Sequence, residues 1–149
     1  MMIRAYRPSD CQELAQLFYE TVHAVNARDY TPEQLDAWAP APPDPAVWDA
    51  SLRAHCTLVA VVDGKLAGFA DLDPAAGYLD RLYVHKDFQR RGVATALCAR
   101  LEELARGPVV THASRTARPF FERRGYRVLR AQEVERRGVL LENFVMEKP

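Results

Sequence analysis

The chain has 149 residues, of which 48% are hydrophobic and 27% are charged, and its formal net charge is zero. This length gives room for one domain, residues 1–149, and the composition is that of a globular protein. No apolar run approaches the roughly 20 residues of a membrane span, and no secretory signal precedes the first predicted strand. We therefore expect a cytoplasmic protein with no membrane contact. The three cysteines have no paired spacing, which predicts free thiols and no metal site.

The charge is unevenly distributed along the chain. Residues 1–75 carry 5 basic and 11 acidic side chains, whereas residues 76–149 carry 15 basic and 9 acidic ones. A basic second half suits a polyphosphate ligand and an acidic first half would attract a cationic amine, although two solvated faces would give the same counts. The balanced total and the lack of a basic aromatic stripe argue against a nucleic-acid partner.

The first half of the chain predicts a strand, a helix and two short capped helices. A strand over residues 3–7 precedes a helix that Ser9 or Asp10 would cap. Thr31-Pro32-Glu33-Gln34 has the pattern of a capping box, and Asp44-Pro45 repeats the cap and proline before the second short helix. The inner side of that helix is expected to carry Val47, Trp48 and Leu52.

The second half of the chain predicts the rest of a mixed sheet. Asp63-Gly64 is a hairpin signal between two apolar runs, and a strand, a helix and a further strand follow in the order that gives a parallel pair. A short helix and a hairpin turned at Gly138 complete the chain. The predicted strands span residues 3–7, 57–62, 66–72, 78–84, 109–113, 126–134 and 139–146. This order predicts an α/β (α+β) fold whose central sheet has six to seven strands flanked by helices.

The segment from Leu82 to Leu97 is the most informative part of the chain. An apolar strand ends at a basic turn, and after Gly92 the apolar residues recur at helical spacing. The turn therefore precedes a helix, where unpaired N–H groups and the helix dipole stabilise an anion. A plain strand-to-helix turn could have the same sequence. A dinucleotide-binding loop would need three glycines, and a nucleotidase phosphate loop would need Gly-Lys-Ser/Thr.

The spacing Gln89-x-x-Gly92-x-Ala94 resembles the pyrophosphate-binding motif Q/R-x-x-G-x-G/A of the GCN5-related N-acetyltransferases, the GNAT family. The likeness extends to Met2–Asp10 as the family's first strand and helix start, Gly64–Leu72 as its third strand and Ser114–Tyr126 as its second cofactor segment. The resemblance implies the GNAT fold, in which the parallel fourth and fifth strands splay apart around acetyl-CoA. The segments that resemble a YafP-like bacterial subgroup are Tyr30–Ala39, Arg136–Gly138 and Asn143-Phe144.

This resemblance also implies how the cofactor is held. Main-chain groups of Leu82–Val84 would pair with pantetheine as an added strand does, and the amides from Gln89 to Thr95 would hold the pyrophosphate. Arg90 and Arg91 would add charge-assisted bonds. The expected cofactor residues are Leu82, Tyr83, Val84, Gln89, Arg90, Arg91, Gly92, Val93, Ala94, Thr95, Ser114, Phe120 and Phe121.

Acetylation of an amine needs a base for the ammonium and a donor that polarises the thioester carbonyl. Asp80, on the strand next to the cofactor, is the preferred base, and a main-chain N–H near Val84 is the preferred carbonyl donor. Asp71 and Asp73, at the end of the preceding strand, are alternative bases. All three acids could equally serve in salt bridges or turns.

The departing thiolate also needs a proton. Many family members use a tyrosine for this purpose, but Phe121 stands at that position and Ser114 stands where an asparagine is common. Either the thiolate leaves unaided or takes a proton from water, or another group such as Tyr83 or Tyr126 is the donor. Tyr126 could instead belong to the core.

The amine acceptor is expected between the two short helices and the terminal hairpin. The candidate residues there are His23, Tyr30, Trp38 and Asn143, with Trp48 favoured for the core. His85 and His112 flank the two strand ends that face the cofactor, and packing or loop roles are favoured over catalysis for both. The sequence thus predicts an acetyl-CoA-dependent N-acetyltransferase, monomeric or homodimeric, that acetylates a small-molecule or peptide amine by direct attack. A noncatalytic acetyl-CoA sensor is the alternative.

Overall fold

The computed structural model describes residues 1–149, which form a seven-stranded mixed sheet. The strands are β1 (Met2–Ala5), β2 (Cys56–Val62), β3 (Lys65–Asp73), β4 (Tyr78–Val84), β5 (Val109–Ser114), β6 (Arg127–Arg136) and β7 (Val139–Lys148). The helices are α1 (Cys11–Ala24), α2 (Pro32–Trp38), α3 (Pro45–Ala54), α4 (Val93–Leu104) and α5 (Arg118–Arg123). The strand order is β1-β2-β3-β4-β5-β7-β6, and only the β4–β5 pair is parallel. The predicted mixed sheet with one parallel pair is therefore confirmed.

Two buried apolar clusters place the helices on opposite faces of this sheet. Leu97 and Leu101 of α4 pack with Leu79 of β4 in one cluster, which also includes residues of α5. Leu14 of α1 packs with Phe69 of β3 in the other, together with residues of α2 and α3. Alternating side chains of each central strand therefore enter two different cores, which explains the nearly continuous apolar runs in the sequence.

Helix α2 is fastened to the C-terminal hairpin formed by β6 and β7. Its capping box is present, since Thr31 Oγ1 accepts from the Gln34 N–H and Gln34 Oε1 accepts from the Thr31 N–H. The Gln34 side-chain amide also donates to the carbonyl of Leu140 at 3.0 Å, and Arg137 donates to the carbonyl of Ala37 at 2.7 Å. The short helix thus depends on residues about a hundred positions away for its place in the fold.

Two local predictions were wrong. Asp10 does not cap α1: it accepts hydrogen bonds from the guanidinium of Arg4 and the N–H of Arg7, which fastens the end of β1 instead. Val47 is not on the inner side of α3, because its side chain is 68% exposed, whereas Leu52 is buried. None of the five helices is both long enough and apolar enough to cross a lipid bilayer.

Candidate active site

A cleft opens where β4 and β5 separate. Their parallel pairing is limited to two positions, Tyr78 with Val110 and Leu79 with Thr111. Beyond them β5 continues beside β7 as far as Ser114, while β4 continues beside β3. The cleft has a volume of about 490 Å³ and extends to the N-terminus of α4. The predicted splaying of the two parallel strands is therefore present.

The far half of β4 directs main-chain groups into this cleft. The N–H of His85 donates to the carbonyl of Ala67 at 2.8 Å, which makes these residues a hydrogen-bonded pair. Because bonded and non-bonded pairs alternate along an antiparallel ladder, Leu82 and Val84 point their N–H and C=O groups away from β3. The Val84 carbonyl then accepts the side-chain amide of Gln89 at 2.6 Å. The N–H and C=O groups of Leu82 and the N–H of Val84 are therefore available to a ligand.

The turn before α4 has the geometry of an anion site. Arg90 and Gly92 both have left-handed backbones, with φ of 62° and 77°, and no side chain caps the helix. The first N–H groups of α4 are therefore free of protein partners at the positive end of a twelve-residue helix. A Cβ built on Gly92 would meet no atom within 4 Å, so the space above the turn is open. Successive amides in such a turn form a concave anion-binding surface.

Glycine at position 68 lets β3 approach this turn closely. A Cβ on Gly68 would lie 2.8 Å from the carbonyl oxygen of Tyr83 and 3.2 Å from Cγ1 of Val93. It would also lie 3.3 Å from Cα of Val84. Strand β4 and the start of α4 therefore meet over this one residue, which no sequence motif identified.

Most of the predicted cofactor residues line the cleft. They are Leu82, Tyr83, Val84, Gln89, Arg90, Gly92, Val93, Ala94, Thr95, Ser114, Phe120 and Phe121. Arg91 is not among them, and its guanidinium lies over the ring of Phe88 at 5.4 Å. The residues that sequence reasoning missed include Thr21, near the end of α1, and Asn26, two residues after it; both line the cleft and belong to no recognisable motif.

A β-bulge places Asp80 at the point where the strands separate. Asp71 pairs with Arg81 and Leu72 pairs with Leu79, so Asp80 has no partner on β3. Its carboxylate is 31% exposed and lies 3.9 Å from Nδ1 of His55 and 3.8 Å from the guanidinium of Arg81. Neither contact is a direct hydrogen bond, so the carboxylate oxygens of Asp80 remain available to hydrogen-bond a ligand.

The alternative bases have structural contacts instead. Asp71 is fully buried and accepts from the Arg81 N–H at 2.8 Å, from His55 Nδ1 at 2.9 Å and from the Arg81 guanidinium. Burial raises the pKa of Asp71, and the Arg81 and His55 charges offset part of that rise. Asp73 accepts from two N–H groups of the turn after β3. Neither residue lines the cleft. His55, Asp71 and Asp80 lie within 4.8 Å of one another, and Arg81 supplies a positive charge to this group.

The two predicted proton donors lie in different places. Tyr83 lines the cleft, with its ring 4.9 Å from that of Phe18, and burial raises the pKa of its phenol. Tyr126 is only 3% exposed, does not line the cleft and donates to Glu102 at 2.7 Å, so the structure does not support its predicted catalytic role. It enters the core because the strand after Gly125 begins directly beside Phe121, with the two rings 4.9 Å apart.

A second cavity of about 500 Å³ adjoins the cleft on the side of the predicted acceptor. Both cavities share the residues Trp38, Asp80, Tyr83, His112 and Ser114. Tyr30, Trp38, Trp48 and Asn143 line the second cavity. The two cavities therefore adjoin each other along these shared residues, and Asp80 lies at their junction.

Not every candidate in this region is available to a ligand. The Tyr30 hydroxyl donates to the carbonyl of Glu142 at 2.6 Å and accepts from the Arg115 N–H at 3.0 Å, so only its ring can serve the cavity. His23 lines neither cavity, because its Nε2 lies 2.7 Å from the carbonyl oxygen of Ala39 and fastens the end of α2. Ser114 Oγ accepts from the Ala117 N–H at 3.0 Å and shapes the turn before α5.

The two flanking histidines have different environments. His85 Nδ1 accepts from the Asp87 N–H at 3.2 Å and Nε2 lies 2.9 Å from Glu20, so this side chain caps the turn after β4 and fastens it to α1. His112 lies at the junction of the two cavities. Burial and the charge of Arg130 lower the pKa of His112, which favours its neutral form near pH 7.

The mixed sheet, the splayed parallel pair and the anion-binding turn together define an acyl-CoA-dependent transferase fold. The family model described as an acetyltransferase (GNAT) domain matches residues 26–148. The chain is 36% identical to the Escherichia coli protein described as uncharacterized N-acetyltransferase YafP, over 98% of this chain and 94% of that protein. The chain belongs to the GNAT family of acetyltransferases.

Solved structures agree with this assignment. A GCN5-related N-acetyltransferase from Rhodopseudomonas palustris superimposes with a TM-score of 0.93 at 36% identity, covering 99% of this chain and 94% of that one. PaiA N-acetyltransferase from Thermoplasma acidophilum, solved in complex with coenzyme A, superimposes with a TM-score of 0.78 at 19% identity over 99% and 97% of the two chains. The second likeness concerns the fold alone.

Proposed function

We propose that this protein transfers the acetyl group of acetyl-CoA to a primary amine of a small molecule, a peptide or a protein, by direct attack in a ternary complex. The observation that carries the proposal is the junction of the two cavities at Asp80. One cavity ends at an uncapped helix N-terminus and the other is lined by aromatic side chains. A donor and an acceptor could therefore meet beside one free carboxylate.

The cleft suits coenzyme A in both chemistry and shape. The free main-chain groups of Leu82 and Val84 would pair with the pantetheine amides. The N–H groups at the start of α4 and in the left-handed turn would bind the pyrophosphate, and Arg90 would add a charge-assisted bond. Arg91, which does not line the cleft, would reach only the phosphate at the ribose. The whole chain, residues 1–149, would act as one catalytic domain.

The residues at the junction would carry out the transfer. Acetyl-CoA supplies a thioester, whose C–S bond breaks as the new C–N bond forms, and the sulfur retains the electron pair. Asp80 would first take a proton from the substrate ammonium, and the Val84 N–H would bond the thioester oxygen. After the attack the nitrogen must lose a second proton. Tyr83, the one predicted donor that lines the cleft, would protonate the departing sulfur and recover a proton from that nitrogen. His112 is the alternative base at the same junction.

The cofactor part of the proposal is tested by Gly92→Glu. The substitution places bulk and negative charge where the phosphates should bind, so acetyl-CoA affinity measured by titration calorimetry should fall by at least about a hundredfold. Gly64→Glu is a matched control, because Gly64 has a φ of 74°, no neighbour within 4 Å and lies in the β2–β3 turn outside the cleft. Equal affinities in the two variants would refute the assignment of the turn.

The catalytic part is tested by Asp80→Asn and His112→Gln. If Asp80 is the base, Asp80→Asn lowers kcat for thiol release in the presence of amines by about a hundredfold or more, with acetyl-CoA affinity little changed. His112→Gln then leaves the pH dependence of kcat in place. Loss of that dependence in His112→Gln, with a normal rate in Asp80→Asn, would instead assign the base to His112.

A noncatalytic acetyl-CoA sensor is the second candidate. It is favoured by Phe121, which is 2% exposed and offers no hydroxyl at the position of the family's usual acid. The sensor would bind acetyl-CoA tightly and release no thiol with any member of a broad amine panel, whereas turnover with a single amine would exclude it.

A further inference from the structure

We propose that the acceptor is a zwitterionic amine, an amino acid or short peptide with an apolar or aromatic side chain, whose ammonium lies at Asp80 and whose carboxylate lies at Arg136. This inference rests on the proposed function, because it assigns the acceptor class of the same site. It depends on which charges in the second cavity are already neutralised by the protein.

The second cavity has four charged side chains, and two of them are committed to protein partners. Glu142 pairs with Arg115 at 3.0 Å. Arg81 is bonded to Asp71, donates to Ser51 at 2.8 Å and lies over the ring of Trp48. These pairs leave no net charge for a ligand.

The other two, Asp80 and Arg136, are available. Arg136 forms no ion pair, and its guanidinium bonds only the carbonyl oxygen of Glu135 at 3.0 Å. Both cations near Asp80, His55 and Arg81, are directly bonded to Asp71 instead. One carboxylate and one guanidinium therefore face the cavity, which is the charge complement of a zwitterion.

The order of these two charges along the cavity fixes the orientation of the substrate. Asp80 lines both cavities, whereas Arg136 lines only the second. Both charges act on the phenol of Tyr78. Its pKa is raised to about 12, mainly by burial; the charge of Asp80 adds to the rise and the charge of Arg136 opposes it. An ammonium at Asp80 would therefore lie beside the thioester, and a carboxylate at Arg136 would lie toward the outer end.

A buried oxygen atom without a hydrogen-bond partner in the same cavity indicates that the substrate carries N–H groups. Asn143 Oδ1 is buried and has no hydrogen-bond partner in the protein. Asn143 lies in one row across three strands with Ser114 of β5 and Gln132 of β6, and all three line the cavity. A buried acceptor without a partner is costly, so an N–H of the ammonium or of a peptide bond would stabilise it.

The remaining walls suit an apolar side chain. They are formed largely by the rings of Phe18, Tyr30, Trp38, Trp48, Tyr78 and Tyr83. Such rings bind apolar groups and attract an ammonium over their faces. A polyamine would fit poorly, because its further positive charges would meet Arg136 with no free acid to balance them.

The test compares acceptors that differ only in the carboxylate. Leucine is paired with leucinamide, phenylalanine with phenylalaninamide and leucylglycine with leucylglycinamide, with spermidine as a polycation. Thiol release gives kcat/KM, and mass spectrometry identifies the acetylated product. The acids should exceed their amides by at least about tenfold, which is the effect of one charge-assisted pair.

Two variants test the role of the guanidinium. Arg136→Gln should reduce the acid-to-amide ratio of kcat/KM to about one. Arg127→Gln is the matched control, because it removes the same charge from the same strand outside both cavities and should keep the ratio. Equal melting temperatures of the two variants would show that both are folded.

The possible outcomes separate the inference from the proposed function. Efficient transfer to amides or spermidine, or an unchanged ratio in Arg136→Gln, would overturn the zwitterionic acceptor and leave the acetyltransferase proposal intact. Tight acetyl-CoA binding with no transfer to these acceptors or to any member of the broad amine panel would overturn both.

Discussion

Replacing Gly68 by alanine should destabilise the protein and open the cofactor cleft at the same time. The new Cβ would lie 2.8 Å from the Tyr83 carbonyl oxygen and 3.2 Å from Val93 Cγ1, so β4 and α4 must each move by a few tenths of an ångström. Neither contact can be relieved by rotation of a flexible side-chain end. Overpacking of this kind costs about 1–3 kcal/mol. For a chain of this size, the midpoint of thermal unfolding should fall by roughly 4–8 °C if the cost is about 2 kcal/mol.

The ligand-binding consequence distinguishes this cause from ordinary destabilisation. The displaced groups belong to β4 and to the start of α4, which both line the cleft. Acetyl-CoA affinity measured by calorimetry below the unfolding transition should therefore also fall, by about tenfold. Gly107→Ala is the control, because a Cβ there meets nothing within 4 Å and its φ is not in the left-handed region. If the two alanine variants unfold at the same temperature and bind acetyl-CoA equally, the close approach at Gly68 does not set the width of the cleft.

Three further predictions concern the turn before α4 and the hydrogen-bonded charges at the end of that helix. Arg90→Gly relieves a left-handed backbone and should raise the free energy of unfolding by up to about 1 kcal/mol in urea titrations, while acetyl-CoA affinity falls; a loss of stability would contradict this. His85→Ala removes the side chain that caps the turn at Asp87 and should raise the KM for acetyl-CoA severalfold, and His85→Asn should restore it because asparagine also accepts an N–H bond. Burial alone would raise the pKa of Glu102, but hydrogen bonds from Arg124 and Tyr126 hold it below its ordinary 4.5, so its stabilising contribution is complete above that pH and lost as the pH falls further. The difference between the unfolding midpoints at pH 7 and pH 4 should therefore be smaller in Glu102→Gln than in the unchanged protein, and an equal difference would exclude this role.

The parts of the fold that sequence predicted correctly depend on local signals. The caps at Thr31 and Asp44, the turn at Gly92 and the helix after it follow from a few neighbouring residues, and the structure contains all of them. The parallel pair follows from the order of strand, helix and strand. A cofactor cleft needs little more than these elements, which is why it could be anticipated.

The details of the candidate catalytic site depend on pairing and packing over long distances. Asp80 stands at the junction because β3 and β4 shift register beside it, and no local pattern encodes that shift. Tyr83 and Tyr126 both follow apolar or turn residues in the sequence, but only the packed structure shows which of them faces the cleft. Arg136 faces the second cavity because the β6–β7 hairpin extends beyond the end of β5.

The hydrogen bonds that hold α2 and the β6–β7 hairpin around the second cavity join residues that are far apart in the chain. Tyr30 bonds to Glu142, Gln34 to Leu140 and Arg137 to Ala37, with separations of 112, 106 and 100 residues. A ribosome makes the chain from its N-terminus, so the elements of the cofactor cleft have all been synthesised once α5 is complete. The partners of Tyr30 and Gln34 are made only with the last strand. We therefore expect the acceptor cavity to be the last part of the active site to form during synthesis.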